Sequence, residues 1–121
     1  MTEKDFWKFL KGLLEKGRVN QLSGTMDSDE PQLKEVGRFI GGHAFLPKDY
    51  DKITRGKIIG IGELLLSRGA AIPTKEVILI ILAHHPSRYA LKILQEYNQQ
   101  PDKKLEIFSQ IALDECRMWN G

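Results

Sequence analysis

The stretch Val77-Ile78-Leu79-Ile80-Ile81-Leu82 decides the fold, because it reads two ways. Six consecutive apolar residues, four of them β-branched, suit a buried parallel strand and suit equally a helix buried on every side. Lys57-Ile-Ile-Gly-Ile-Gly62 has the same double reading. Taken as strands with residues 63–69 as the crossover, the two would form a small βαβ unit over 57–82. That crossover would be barely two turns long, short for a connection between parallel strands. Neither strand would find a partner in a chain otherwise of helical period. Pro73 and Thr74 precede the run, as at a helix start, and His84 and His85 stand before Pro86, where a helix ends. The expectation is an all-α fold, with the α/β unit as its alternative.

Working outward, residues 49–68 read as one long helix ended by Gly69. Ile53, Ile58, Ile59, Ile61, Leu64, Leu65 and Leu66 cover most of its circumference. Gly56, Gly60, Glu63 and Ser67 are left as a narrow small or polar stripe. A helix apolar nearly all round is expected at the centre of a fold. Beyond Pro86, Tyr89, Ala90, Ile93, Leu94 and Tyr97 share one side of a helix over 87–98. A last helix over 102–119 carries the stripe Leu105, Phe108, Ala112, Cys116 and Trp119, flanked by Ile107, Ile111 and Met118.

At the other end, Thr2 followed by Asp5 is an acidic capping box opening a helix over 3–17. Phe6, Phe9, Leu10, Leu13 and Leu14 form its apolar face, and Gly17 is placed to end it in the left-handed conformation. Residues 23–30 are small, polar and acidic, as in an exposed loop. Pro31 opens a helix over 31–41, which Gly41 and Gly42 stop. About six helices therefore pair as three antiparallel hairpins: 3–17 with 31–41, 49–68 with 74–84, and 87–98 with 102–119. Their second helices open alike, with PQLKEV at Pro31, PTKEVI at Pro73 and PDKKLE at Pro101. The first helices of the last two hairpins begin near residues 49 and 87, a period close to that of two-helix repeats.

The 121 residues suit one domain over 1–121, and 41% hydrophobic content is enough for a packed core. Eighteen basic against sixteen acidic residues leave a net charge of only +2, with the signs interspersed. Nucleic-acid binding favours clustered basic residues, so it is not expected. The single cysteine excludes an intrachain disulfide or a multi-cysteine metal cluster. No apolar run approaches the ~18 residues that would span a bilayer, and the N-terminus has no signal-peptide core. A soluble, cytoplasmic domain with no membrane partner is expected.

Ala90-Leu-Lys-Ile-Leu-Gln-Glu-Tyr97, Pro101-Asp-Lys-Lys-Leu105 and Ile111-Ala-Leu-Asp-Glu115, with Ile58 to Leu66 as a first helix, are similar to HEAT-like repeats of the armadillo superfamily. The resemblance covers residues 49–121 as two helix pairs; residues 1–48 form a less typical N-terminal hairpin. It implies a short α-solenoid whose usual work is to hold another macromolecule. Some relatives are DNA glycosylases or bilin-lyase subunits, but no motif here carries over a catalytic residue.

The chemically suggestive residues mostly have structural readings. His84 and His85 are adjacent, so they diverge by about 100° on a helix and cannot share a metal as an i,i+4 pair can. They read as core or capping histidines, and so does His43. Gly60-Ile-Gly62-Glu63 lacks the third glycine of a dinucleotide fingerprint, because Leu65 stands there. Gly56 and Gly60 read instead as a site of close helix approach. Glu63, if buried, needs a partner such as Arg55 or Arg68. Asp49 and Asp51 suit a helix start, Asp114 and Glu115 a solvated face, and Cys116 an inert packed thiol. The lysines of the first helix, Lys4, Lys8 and Lys11, read as a solvated face beside Phe6 and Trp7. No catalytic, cofactor-binding or metal-binding set emerges.

A non-catalytic protein-interaction module is therefore expected, associating with a protein partner or with itself through Ile107, Ile111 and Met118 on the far side of the last helix. The alternative is a small enzyme or enzyme subunit whose helices cradle a ligand in a pocket lined by Glu63 and His84.

Overall fold

Both ambiguous stretches are helical in the computed structural model of the chain, which describes residues 1–19, 38–39, 41–42 and 45–120. Lys57 to Gly62 lies in α2 (Arg55–Leu66) and Val77 to Leu82 in α3 (Ile72–His84). The other named α-helices are α1 (Glu3–Glu15), α4 (Arg88–Tyr97) and α5 (Glu106–Asn120), and residues 38–39 and 41–42 are also helical, so Gly41 and Gly42, expected to stop a helix, lie within one. Among those residues there is no strand, only an isolated antiparallel bridge between Arg18 and Pro47. The fold is all-α, and the βαβ alternative over 57–82 falls away. Most of the helix expected over 31–41, the loop at 23–30 and His43 lie outside the described residues.

The apolar run is helical because its helix is surrounded. Every residue from Val77 to Ala83 is buried. α2, α4 and α5 all pack on α3, and a Cβ placed on Gly42 would collide with the Ile80 side chain. A helix enclosed on all sides has no use for a polar stripe, so helical periodicity vanishes from its sequence. The central helix is thus α3, and the expectation that 49–68 fills that role is corrected. α2 leaves Ile59 and Leu66 exposed. It is also shorter than expected. A 3₁₀ turn at Tyr50–Lys52 is followed by extended Ile53 and Thr54, and the Thr54 hydroxyl accepts from Lys57 N at 3.4 Å to cap the helix.

Contacts set the directions of the helices. His85, at the end of α3, meets the Ile53 carbonyl just ahead of α2, so α2 and α3 are antiparallel. Lys75 near the start of α3 meets Asp102 just ahead of α5, and His85 meets Asn120 at its end, so α3 and α5 run parallel. The close approach is at Gly62, not at Gly56 or Gly60 as expected. A Cβ on Gly62 would strike Ile93 of α4, whereas nothing lies within 4 Å of one on Gly56 and only Met1 side-chain atoms, at 3.7 and 3.8 Å, approach one on Gly60.

α1 begins with the expected capping box: Asp5 N donates to Thr2 Oγ1 at 3.1 Å and Thr2 N to Asp5 Oδ2 at 3.3 Å. It ends before Gly17, whose φ of +134° favours a residue without a side chain. Phe6 and Leu10 are buried in the core. No helix among the described residues is long and apolar enough to cross a membrane.

Candidate functional site

The outer face of α5 places the three residues singled out from the sequence in different surroundings. Ile107 and Ile111 are half-buried, and Ile111 packs against the core. Met118 is 81% exposed. On the inner stripe of the same helix, Phe39 meets Phe108 edge-on at 5.1 Å. Trp119 was expected inside with Phe108, Ala112 and Cys116, but it is 63% exposed. The reason is length. α3 ends at His84 and the chain turns at Pro86, so the last turn of α5 runs past the helix that would cover it. Asn120 anchors that turn by donating to the His85 carbonyl at 3.1 Å and the Cys116 carbonyl at 3.2 Å. Two large apolar side chains, Met118 and Trp119, are therefore exposed at successive positions of the last turn.

The most conspicuous polar cluster is one the sequence reading missed. Lys75 is buried, its side chain 5% exposed, with Nζ 2.8 Å from Asp102 Oδ2. The Tyr97 hydroxyl donates to that same oxygen at 2.6 Å and accepts from Asp102 N at 3.1 Å. The three line a cleft of about 610 Å³, together with Leu66, Arg68 and Glu96. The carboxyl ends of α2 and α4 converge there, and their carbonyls favour an ammonium group. Burial works against the Asp102 carboxylate, but hydrogen bonds from Lys75 and Tyr97 outweigh it and hold the acid below its usual range. Burial, then the bond to Asp102, pushes the Tyr97 hydroxyl well up. The lysine's charge and the tyrosine's proton are both committed to Asp102. The cluster ties the start of α3 to the loop after α4. A signal was present in the sequence: Lys75 shares a helical stripe with Ile78, Leu79 and Leu82.

The histidines divide into two roles. His84 Nδ1 lies 2.8 Å from the Ile80 carbonyl and Nε2 lies 2.7 Å from Glu115 Oε1. Both partners are acceptors, an arrangement that favours the doubly protonated ring. Burial opposes that charge, but Glu115 and the carbonyl outweigh it and raise the His84 pKa above 6.5. His85 Nε2 donates to the Ile53 carbonyl at 2.9 Å, while Nδ1 pairs with Ser87 Oγ at 2.9 Å. Ser87 Oγ also accepts from Ala90 N, so the histidine, the serine and the start of α4 are tied together. Both histidines join elements of the fold.

The remaining candidates do not converge. Glu63 is exposed, Arg55 stacks over the Tyr89 ring at 4.3 Å, and neither Glu63 nor His84 lines the clefts beside Lys75, Gly60, Trp7 or Leu13. Gly60 and Gly62 lie inside α2, where the backbone N–H groups are used by the helix and form no phosphate-binding turn. Asp49 pairs with Lys52 at 3.6 Å and Asp114 with Arg117 at 3.7 Å. Cys116 is fully buried, and burial raises its thiol pKa. Among the described residues no three His, Cys, Asp or Glu side chains gather as metal ligands. No protein family, curated protein or solved structure matches the chain.

Proposed function

We propose that this chain is a non-catalytic interaction module of HEAT-like type, soluble and cytoplasmic, that contacts a protein partner through the outer face of α5. The single observation that carries the reading is the exposure of both Met118 and Trp119 on a helix end that hydrogen bonds hold in place. Large apolar side chains exposed to solvent are characteristic of contact sites, and tryptophan is among the residues most enriched at binding hot spots. The repeat reading is supported by the packing of α2 on α4 and of α3 on α5, first helix on first and second on second, with each pair sharing a direction.

The alternative of a ligand-cradling enzyme draws on the cleft beside Lys75. It is the weaker reading, because Lys75 and Tyr97 are both bound to Asp102. An affinity pull-down from native lysate tests the interaction reading, with the wild type and Met118→Ser/Trp119→Ser as parallel baits. Proteins retained by the wild type and lost by an equally stable variant are expected. Identical sets on both baits would contradict the reading.

A further inference from the structure

We infer that the furrow between α1 and the chain around the start of α2 binds an acidic, extended segment of a protein partner, one that carries an apolar side chain among its carboxylates. Neither Met118 nor Trp119 lines this furrow, so it is a second surface, and the inference stands or falls apart from the α5 face. Two adjoining depressions, of about 730 and 320 Å³, share Phe9, Thr54 and Lys57 and so form one furrow.

Its floor is apolar. Phe9 and Leu13 are half-buried, packed against the core yet open to the furrow, and the buried Ile53 adds to the same surface. On the α2 side Gly56 lines the furrow, and a Cβ placed there would meet nothing within 4 Å. A second chain can therefore come close to the α2 backbone at that point.

The rim is basic, and most of its charge is not used within the molecule. Lys8, Lys16, Lys52 and Lys57 line the furrow with Asp5 and Asp49, which leaves two positive charges in excess. Asp49 is paired with Lys52 at 3.6 Å. Asp5 accepts from Thr2 N at 3.3 Å, and Lys8 draws on it through space without forming an ion pair. Among the described residues Lys8, Lys16 and Lys57 enter no ion pair, and Lys57 Nζ lies over the Phe9 ring, 5.3 Å from its centroid. The cleft beside Lys75 differs, since there Arg68 and Lys75 are balanced by Glu96 and Asp102.

Charge and shape together name the occupant. From Asp5 to Lys16 the furrow follows α1 for about 16 Å at ~1.5 Å of rise per residue. An extended peptide covers that length in about five residues. Its carboxylates meet Lys8 and Lys57 toward one end and Lys16 toward the other, and an aliphatic or aromatic side chain between them rests on Phe9 and Leu13. A bilayer surface is flat and would meet the rim without the floor. A nucleic acid would bring phosphates to the lysines but no aliphatic side chain to Leu13 and Ile53.

Fluorescence anisotropy with the whole chain and a dye-labelled peptide of about six residues, glutamates alternating with leucine and phenylalanine, tests this. Saturable binding at low ionic strength is expected, weakening as salt screens the lysines. The same peptide with glutamines for glutamates should bind at least about tenfold more weakly, and so should Lys8→Glu/Lys57→Glu with the original peptide. Gly56→Leu, which fills the open side of the furrow and leaves every charge in place, should weaken binding comparably. Circular dichroism checks that each variant is folded, and Lys16→Glu replaces the double variant if that one is not. No binding at millimolar protein, equal binding of the glutamine peptide, or undiminished binding by a folded variant would each overturn the inference. Displacement of the peptide by oligothymidylate or by phosphatidylserine vesicles at lower concentrations than by unlabelled peptide would overturn it too, in favour of nucleic acid or lipid.

Discussion

Gly60 and Gly62 lie two residues apart on one helix and should respond oppositely to the same substitution. At Gly60 a Cβ meets only ordinary contacts with Met1, so Gly60→Ala should stabilise the protein by about 0.5–1 kcal/mol. At Gly62 it would drive into Ile93, so Gly62→Ala should destabilise by about 1–3 kcal/mol as Ile93 is displaced. Urea unfolding of the two variants checks both signs. Spacing places glycines along a helix but does not say which of them faces a neighbouring helix, and so the wrong one was expected to be crowded. Lys75 escaped notice for a related reason: its charge suggests solvent until Asp102, 27 residues away in sequence, is brought beside it. His84 gives a pH dependence whose sign follows from its partners. Its pKa is raised in the folded state, so the stabilisation is complete below about 6.5, the ordinary value, and is lost as pH climbs through the raised folded value. The melting temperature should fall over that interval, and Glu115→Gln should flatten the dependence. A wild-type melting temperature constant from pH 6 upward would show that His84 carries no such charge.

Among the elements, α3 makes the strongest demand on its surroundings. Ile80 is 1% exposed and lies against Gly42, so Ile80→Glu would bury a carboxylate in the apolar core. The cost of several kcal/mol is comparable to a whole domain's ~5–15 kcal/mol, and the variant should be unfolded by circular dichroism. A cooperative melt near the wild-type temperature would place Ile80 at a surface. That α3 is a helix was legible from Pro73, Pro86 and the lack of partner strands. That it is the central helix was not, because full burial erases the periodicity that tells faces apart. The late start of α2 was hidden for another reason. Thr54 interrupts an apolar pattern that continues from Ile53 to Ile58, and a threonine there serves a helix interior or a cap equally well until its hydroxyl is seen to accept from Lys57 N. For α1 and α5, whose opposite faces differ in polarity, the apolar stripe was readable except at the last turn. Trp119 continues the pattern of Phe108, Ala112 and Cys116 beyond the point where α3 stops.

At the scale of the molecule, α5 ends with Met118 and Trp119 in solvent, near the His85 end of α3. Burying two such side chains is worth ~1.5–3 kcal/mol each before the costs of association, which makes for a weak, concentration-dependent contact. Met118→Ser/Trp119→Ser should change stability by no more than ~0.5 kcal/mol, as exposed positions do, while removing that contact. The two tryptophans, Trp7 and Trp119, give two separable indole N–H signals in a heteronuclear NMR spectrum. The most direct test follows those signals in labelled protein through a dilution series in buffer and through addition of unlabelled native lysate. The expected result is that the Trp119 signal shifts or broadens. A Trp119 signal that stays sharp and unmoved in both experiments would contradict the assignment of the α5 face as a contact surface.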